Sequence, residues 1–145
     1  MGKIMSEHYI AAVPVEMIDL VWDKVEPLVE SVIAVSGGEV TTESTYKSLK
    51  QGVSLLVLIC KGSEITAINT VEIRTLDSDM KVLYILLVSG SELDEWIDLF
   101  LEWVERLGKM NGCEELRGIA SRKGWSKKMK SLGWEHIKTV VGIKI

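Results

Sequence analysis

Cysteine, histidine and proline are scarce in this chain of 145 residues, which has two of each. Cys60 and Cys113 form no C-x-x-C pair and have no histidine beside them, which excludes a disulfide framework and a clustered zinc site. His8 and His136 are isolated in the sequence, and a lone histidine is more often structural than catalytic. We therefore expect two reduced thiols, no metal site and a cytoplasmic protein.

Long hydrophobic runs are also missing. Runs such as Leu55–Cys60 are too short to cross a bilayer, and Met1–His8 has no apolar segment of the kind that signal peptides carry. Hydrophobic residues make up 47% of the chain and charged residues 26%, as in ordinary globular proteins. We expect one soluble domain spanning residues 1–145, without membrane contact.

Positive charge is rare in the first 121 residues, which carry ten Lys/Arg against twenty Asp/Glu, although the net charge of the whole chain is only −4. Residues 122–145 hold seven Lys/Arg and one glutamate. Basic residues among aromatic ones can bind phosphates, single-stranded nucleic acid or an acidic protein surface, whereas the simpler alternative is a solvated helix face over core tryptophans. The candidate residues, which we call the basic run, are Arg122, Lys123, Trp125, Lys127, Lys128 and Lys130.

The first half of the chain predicts a strand, two helices and an antiparallel meander. Tyr9–Val13 is a short apolar strand, and the helix after it contains Pro27, where we expect a kink or a break. Thr41 or Thr42 can cap a second helix. Three apolar stretches separated by turns then predict the strands of the meander, which are Ser54–Lys61, Glu64–Thr75 and Met80–Val88.

The second half predicts a βαβ unit. The last strand of the meander leads through a tight turn at Ser89–Ser91 into an amphipathic helix. Ligands of such units sit where the strand ends and the helix begins, so Ser89–Ser91 is the candidate ligand site. The predicted elements after this turn are a helix at Glu92–Asn111, a strand at Glu115–Ala120, a short helix at Trp125–Leu132 and a final strand at Trp134–Ile145.

This order of elements resembles the fold of the GNAT (Gcn5-related N-acetyltransferase) family. Asn111-Gly112-Cys113 looks like the end of the family's central helix, and Ser131-Leu132-Gly133-Trp134 looks like its Leu-Gly-aromatic segment. The resemblance implies an α/β (α+β) domain whose mixed central sheet has an antiparallel meander followed by a βαβ unit, with helices on both faces. In layout, including Arg122–Trp125, the chain is similar to small GNAT-like proteins of tailed bacteriophages, some of which are thought to belong to the virion.

The resemblance also implies acetyl-CoA as the cofactor, held by a loop of the form Arg/Gln-x-x-Gly-x-Gly/Ala. The matching place has one glycine and no Arg or Gln, and Glu92, Asp94 and Glu95 would oppose a pyrophosphate there. A well-capped helix start is the alternative explanation of these acids. The residues that would contact the cofactor are Leu87, Val88, Ser89, Gly90 and Ser91.

The family's acid and base residues are altered. Glu72 is the nearest candidate for the general base, although a solvent-facing charge on an alternating strand explains it too. Met129 stands where the resemblance implies a tyrosine that protonates the leaving thiolate, and a methionine donates no such proton. Tyr84 lies on a buried strand and is predicted to belong to the core.

Three functions follow from these observations. The favoured one is a pseudoenzyme with a degenerate acyl-CoA site, which binds a virion or host protein, or another copy of itself, as a phage virion-associated or accessory protein in the host cytoplasm. The second is an acyl-CoA-dependent N-acyltransferase with an atypical pyrophosphate loop. The third is a nucleic-acid-binding module that uses the basic run.

Overall fold

The computed structural model describes residues 7–119 and 123–145, and of Lys123 only the backbone. The strands of this part are β1 (His8–Val13), β2 (Leu55–Lys61), β3 (Glu64–Thr75), β4 (Lys81–Gly90) and β5 (Glu115–Gly118). Its α-helices are α1 (Ile18–Ile33), α2 (Thr42–Lys50), α3 (Leu93–Met110) and α4 (Lys123–Ser131). The order agrees with the predicted one up to α4.

The strands form one sheet in the order β1-β2-β3-β4-β5. Neighbours are antiparallel from β1 to β4, and β4 and β5 are parallel, which confirms the predicted mixed sheet. Helices α1 and α2 bury residues such as Val25 and Leu49 against one face, and α3 buries Trp96 and Phe100 against the other. No helix within the described ranges is both long and apolar enough to cross a bilayer.

Helix α1 passes through Pro27 without ending there, so the predicted break is wrong. Pro27 lies on the exposed side of the helix, whereas Val25 and Val29 are fully buried on the other side. A proline on the solvent side leaves a carbonyl group that water can hydrogen-bond, so the helix keeps its buried contacts.

Strand β4 is longer than predicted, because Ser89 and Gly90 belong to the strand and not to a tight turn. They pair with Ile68 and Ala67 of the long strand β3, which extends far enough to offer them partners. Ser89 is buried as a consequence. Only Ser91 and Glu92 therefore connect β4 to α3. The predicted turn at Ser89–Ser91 is wrong for Ser89 and Gly90, which belong to the strand.

The prediction of a final strand at Trp134–Ile145 is also wrong. Residues 134–145 are described and have no regular secondary structure. Val140, Val141 and Ile143 are more than 80% exposed, as side chains that pack against no sheet would be. A strand needs a neighbour to bind its backbone groups, and the chain provides none for this segment among the described residues.

The side chain of Asn69 makes no hydrogen bond within residues 7–119 and 123–145, although both of its polar atoms are buried. It lies in the middle of β3, between Val57 and Val88. An unsatisfied buried amide costs roughly 1 to 3 kcal/mol. We expect Asn69→Leu to raise the free energy of unfolding by about 1 kcal/mol or more in urea titrations, and Asn69→Asp, of the same shape, to lower it. A loss of stability in the leucine variant would show that the amide has a polar partner.

Asp19 on α1 joins this helix to α2. Its carboxylate accepts a hydrogen bond from Lys50 Nζ at 2.6 Å and one from the hydroxyl of Tyr46. The bond from Lys50, followed by that from Tyr46, holds the pKa of Asp19 below its ordinary value of 3.8. Because the pKa is lower in the folded state, the stabilisation is fully present above pH 3.8 and is lost as the pH falls through the folded pKa.

We therefore expect Asp19→Asn to flatten the acid limb of the stability curve. Urea midpoints of the wild type should fall more steeply than those of the variant as the pH is lowered below about 5. Asp23→Asn, one turn further along the exposed side of the same helix, is the matched control. Equal slopes in the wild type and Asp19→Asn would contradict the assignment.

Candidate functional site

The pairing of β4 with β5 covers only four residues of each strand. Val82 to Ile85 lie opposite Glu115 to Gly118, and the Ile119 amide donates to the Ile85 carbonyl at 3.2 Å. Just beyond Ile85, Leu86 is an extra residue in β4, because Ile85 faces Val71 while Leu87 faces Thr70. A bulge of this kind bends the strand and increases its twist, and among the described residues β4 has no pairing with β5 beyond it.

The part of β4 beyond the bulge has one unpaired edge among the described residues. Residues Leu86–Gly90, which we call the open β4 edge, pair with β3 on one side. On the side of β5 they have no strand partner within the described parts of the chain. At about 3.3 Å per residue the edge is roughly 16 Å long. Its unpaired peptide groups can bind an extended, amide-bearing ligand as an added strand.

The predicted cofactor-contacting residues are thereby brought together at the end of this edge. Leu87 and Ser89 are buried and Val88 is half-buried, while Gly90 and Ser91 are exposed. Leu87 packs in the core beneath α1, and Val88 packs in the core beneath α3. The open β4 edge offers backbone groups, and these leave no side-chain pattern in the sequence.

Helix α3 begins beside the open β4 edge in an unusual conformation. Glu92 precedes the helix in the left-handed region, with φ of 59°, and no side chain among the described residues caps the helix start. The alternative explanation of a well-capped helix start is therefore wrong. Instead, the Ser91 amide donates to the Thr66 carbonyl at 3.2 Å, and Trp96 Nε1 donates to the Ser91 carbonyl at 2.7 Å. These two bonds fix the connection.

The Glu92 carboxylate lies close to two basic side chains, one from β1 and one from β2. His8 Nε2 lies 3.1 Å from one oxygen, and Lys61 Nζ lies 3.8 Å from the other. His8 is therefore not isolated, contrary to its position in the sequence. The antiparallel register places His8 opposite Lys61 at the end of the sheet where α3 begins. Paired strands bring together residues that are 84 positions apart, and no local sequence signal shows this.

The same corner contains the ligand types that a metal ion requires. Within the described ranges, His8, Glu92 and Glu95 place one ligand atom each within 4.8 Å of one another. A nitrogen and carboxylate oxygens suit a divalent transition metal. Lys61 already supplies a positive charge to Glu92, however, and both glutamates are exposed. The expected absence of a metal site stays a prediction.

An ion pair connects the acidic start of α3 with the basic helix α4. Lys128 Nζ lies 2.8 Å from the Asp94 carboxylate, although these residues belong to the two parts of opposite charge in the sequence. Met129, which follows Lys128 in α4, is buried. An ion pair of this kind contributes little to stability when it is exposed to water. It brings the Lys128 ammonium group to the start of α3.

The described side chains of the basic run differ in their exposure to solvent. Trp125 and Lys128 are half-buried, and Trp125 packs against the core beneath α3. Lys127 and Lys130 are exposed. Arg122 lies outside the described residues, and so does the side chain of Lys123. A phosphate, nucleic-acid or partner site at the basic run therefore stays a prediction.

Glu72 lies away from the open β4 edge. It faces Tyr84, which precedes the bulge, and its carboxylate accepts a hydrogen bond from Arg74 at 2.9 Å. Arg74 also covers the ring of Tyr84, and the Arg117 guanidinium donates to the Tyr84 hydroxyl at 3.4 Å. Tyr84 is buried, as predicted. These residues form a structural polar row on the part of the sheet where β4 and β5 are still paired.

Comparison with known proteins gives a clear answer at the level of the fold. No protein-family model and no curated protein matches the sequence. Aminoglycoside N-acetyltransferase AAC(6')-Iy in complex with CoA superimposes with a TM-score of 0.69 at 14% identity, over 100% of this chain and 99% of that one. Aminoglycoside acetyltransferase meta-AAC0020, from an uncultured soil metagenomic sample, gives 0.68 at 14% identity over 95% of both chains.

Other similar structures carry different names. A transcriptional regulator from Bacillus halodurans C-125 gives a TM-score of 0.67 at 12% identity, over 95% of this chain and 99% of that one. At such low identities the similarity concerns the fold, and function has to be argued from the site. The mixed sheet and the order of elements agree with this similarity: the chain has the fold of the Gcn5-related N-acetyltransferases.

Proposed function

We propose that the protein binds an acyl-CoA along the open β4 edge and transfers the acyl group to an amine. The observation that carries this proposal is that β4 pairs with β5 only as far as Ile85 among the described residues, just before the bulge at Leu86. It leaves peptide groups exposed on a strand edge inside the fold, beside the start of a helix. The similarity in fold to an acetyltransferase that binds CoA supports it.

The chemistry of coenzyme A suits such an edge. Its pantetheine arm contains two amides in an extended chain, which can pair with backbone N–H and C=O groups as a short strand does. Its phosphates would lie towards the start of α3, where helix N–H groups point outwards. Lys128 can supply a positive charge there if it leaves Asp94.

The transfer itself requires little from side chains. The amine nitrogen attacks the thioester carbonyl, a C–N bond forms, and the C–S bond breaks with its electron pair leaving on sulfur. The proton released by nitrogen passes to the thiolate or to water. The Glu72 carboxylate is hydrogen-bonded to Arg74, and Met129 cannot donate a proton. The positioning of the amine and the thioester therefore has to supply most of the rate acceleration. We expect the rate to rise with pH as the acceptor amine loses its proton.

The proposal is tested by incubating the purified chain with acetyl-CoA and a panel of amines that includes aminoglycosides, polyamines and peptide N-termini. Acetylated amine and free CoA are measured by mass spectrometry. Equal amounts of both products, absent without protein, are the expected result. Calorimetric binding of acetyl-CoA without turnover would contradict the transfer step alone, and the absence of binding would contradict the whole proposal.

A second candidate is a non-catalytic binding protein, which one specific observation favours. The acids at the start of α3 are held by His8 and Lys61 at Glu92, and by Lys128 at Asp94, so the place for a pyrophosphate is occupied by ion pairs. A protein partner, and the predicted setting in a phage particle, belong to this candidate. Co-purification with capsid or tail proteins, with no binding of acetyl-CoA, would favour it.

The nucleic-acid hypothesis predicts a different result. Lys127 and Lys130 are the exposed lysines of the basic run whose side chains are described. If they bind a nucleic-acid backbone, affinity for a single-stranded oligonucleotide should fall steeply with added salt and disappear in Lys127→Glu/Lys130→Glu. Lys138→Glu/Lys144→Glu is the matched control. Affinity that depends equally on both pairs of lysines would indicate only non-specific attraction.

A further inference from the structure

A cleft of about 180 Å³ lies between helices α1 and α2. Trp22 and Glu26, which are one turn apart on α1, line one side of it, and the other side is lined by Thr42, Glu43 and Tyr46 of α2. Four of these side chains are half-buried and Glu43 is exposed, so a solute can enter from the surface. Because α1 and α2 cover the face of the sheet opposite to α3, the cleft is separate from the acidic start of that helix.

The aromatic part of the cleft is made by Trp22 and Tyr46. Their ring centroids are 4.9 Å apart and their planes are inclined at 57°, so the two rings meet as a corner. Both side chains pack against the core beneath α1 and α2, which fixes their position. The face of an aromatic ring carries partial negative charge, and tryptophan is the ring that binds cations best.

The Tyr46 ring is also held by its hydroxyl group, which donates a hydrogen bond to the Asp19 carboxylate. This bond raises the pKa of Tyr46 above its ordinary value of 10.0, so the phenol stays neutral and its one donor is used. Lys50 donates to the same carboxylate at 2.6 Å, so its charge is directed to Asp19. The ring face of Tyr46 is therefore what this residue offers to a solute in the cleft.

The cleft has two carboxylates and no basic side chain among the residues that line it. Glu26 is half-buried beside the rings, and Glu43 lies on the other helix. Within residues 7–119 and 123–145, neither carboxylate has an ion-pair partner. A charge that is partly withdrawn from water without a partner is unfavourable, and a bound cation would offset that cost.

An anion does not suit this place, although α2 begins here. The Ser44 amide donates to the Thr41 hydroxyl and the Thr41 amide donates to the Ser44 hydroxyl, both at 2.9 Å. The start of α2 is therefore capped by its own residues, and Glu43 adds a negative charge in the first turn. Rings and carboxylates together select for positive charge.

We infer that the cleft between α1 and α2 binds a small quaternary ammonium compound, with the cation against the two rings and near the two carboxylates. A quaternary ammonium group suits aromatic faces, because it is bound through its charged surface and needs no hydrogen-bond acceptor in a fixed position. The site is independent of acyl-CoA binding, since the open β4 edge contributes none of the residues that line the cleft.

Titration with choline at constant ionic strength tests the site. The matched neutral probe is 3,3-dimethylbutan-1-ol, which has a carbon atom in place of the charged nitrogen. The indole N–H signal of Trp22, assigned by its loss in Trp22→Phe, is followed by ¹⁵N NMR. We expect a saturable shift with a dissociation constant on the order of millimolar for choline, and roughly tenfold weaker binding of the neutral probe. Equal binding of the two compounds, or no saturable shift up to about 50 mM choline, would overturn the inference.

The carboxylates are tested by Glu26→Gln/Glu43→Gln, which keeps the size of both side chains. Choline should bind this variant roughly tenfold more weakly, because two partly exposed charges each contribute a modest attraction. Glu102→Gln/Glu105→Gln is the matched control, since it makes the same change in net charge on α3, and it should bind choline like the wild type. An equal loss of affinity in both variants would show that only net charge matters and would overturn the site.

A pair of substitutions at Tyr46 separates the ring from the hydroxyl group. Tyr46→Phe keeps the ring and should bind choline within about twofold of the wild type, whereas Tyr46→Leu should bind it about fivefold more weakly. Both variants lose the hydrogen bond to Asp19, so thermal unfolding of the two shows whether each is folded under the conditions of the titration. The same loss of affinity in both would assign binding to that hydrogen bond and would overturn the role of the ring.

Discussion

Replacing Gly90 with alanine should lower the free energy of unfolding by roughly 3 kcal/mol and the melting temperature on the order of 10 °C. Gly90 has φ of 140°, a conformation that side chains rarely allow. A Cβ at this position would lie 2.4 Å from both the Ala67 Cα and the Thr66 carbonyl oxygen. These are backbone atoms of β3, which cannot move aside without breaking the pairing of the two strands.

The effect should be specific to this position. Gly124→Ala is the matched control, because a Cβ there meets no atom within 4 Å, and alanine favours a helix such as α4. Thermal unfolding followed by circular dichroism measures both variants. If Gly90→Ala melts within 2 °C of the wild type, the close approach of β4 to β3 at the end of the open β4 edge is not real.

Removing two acids from the start of α3 should tighten the binding of acetyl-CoA about tenfold. Each charge near a helix start is worth roughly 0.3 to 1 kcal/mol, and Asp94 and Glu95 both oppose a phosphate there. Asp94→Asn also removes the ion-pair partner of Lys128, whose ammonium group can then bind a phosphate of acetyl-CoA. Asp94→Asn/Glu95→Gln is measured by isothermal titration calorimetry at low salt.

The control for this prediction lies in the same helix. Glu102 and Glu105 pair with Arg106 and Lys109, so Glu102→Gln/Glu105→Gln removes two ion-paired acids far from the helix start. We expect this variant to bind like the wild type. The advantage of Asp94→Asn/Glu95→Gln should shrink as salt is added, because exposed charges are screened. Equal gains in both variants would show that only net charge matters.

The strands and helices were largely predictable because their signals are local. Alternation in β3 and the long apolar stripe of α3 fix both elements from the sequence, and β3 has the predicted bounds. The wrong predictions concern residues whose secondary structure depends on tertiary contacts. Pro27 is tolerated because it faces water, and Gly90 continues β4 because β3 is there to pair with it.

The candidate site was less predictable for the same reason. The pairing of His8 and Lys61 with Glu92, and of Lys128 with Asp94, joins residues from distant parts of the chain. The bulge at Leu86 has no sequence signature, since it follows from the register of β4 against β3. The final strand was predicted from a real β pattern, but a pattern does not provide a neighbouring strand.

Titration of the ¹⁵N-labelled protein with acetyl-CoA, followed by amide NMR, tests the proposed site most directly. The account predicts saturable shifts concentrated in Leu86–Gly90 and the first turn of α3, with β1 residues Ile10–Ala12 unaffected. The Asp94→Asn/Glu95→Gln variant should saturate at lower ligand concentration. If no amide of the open β4 edge shifts at millimolar acetyl-CoA, the edge does not bind the cofactor and the proposed function is wrong.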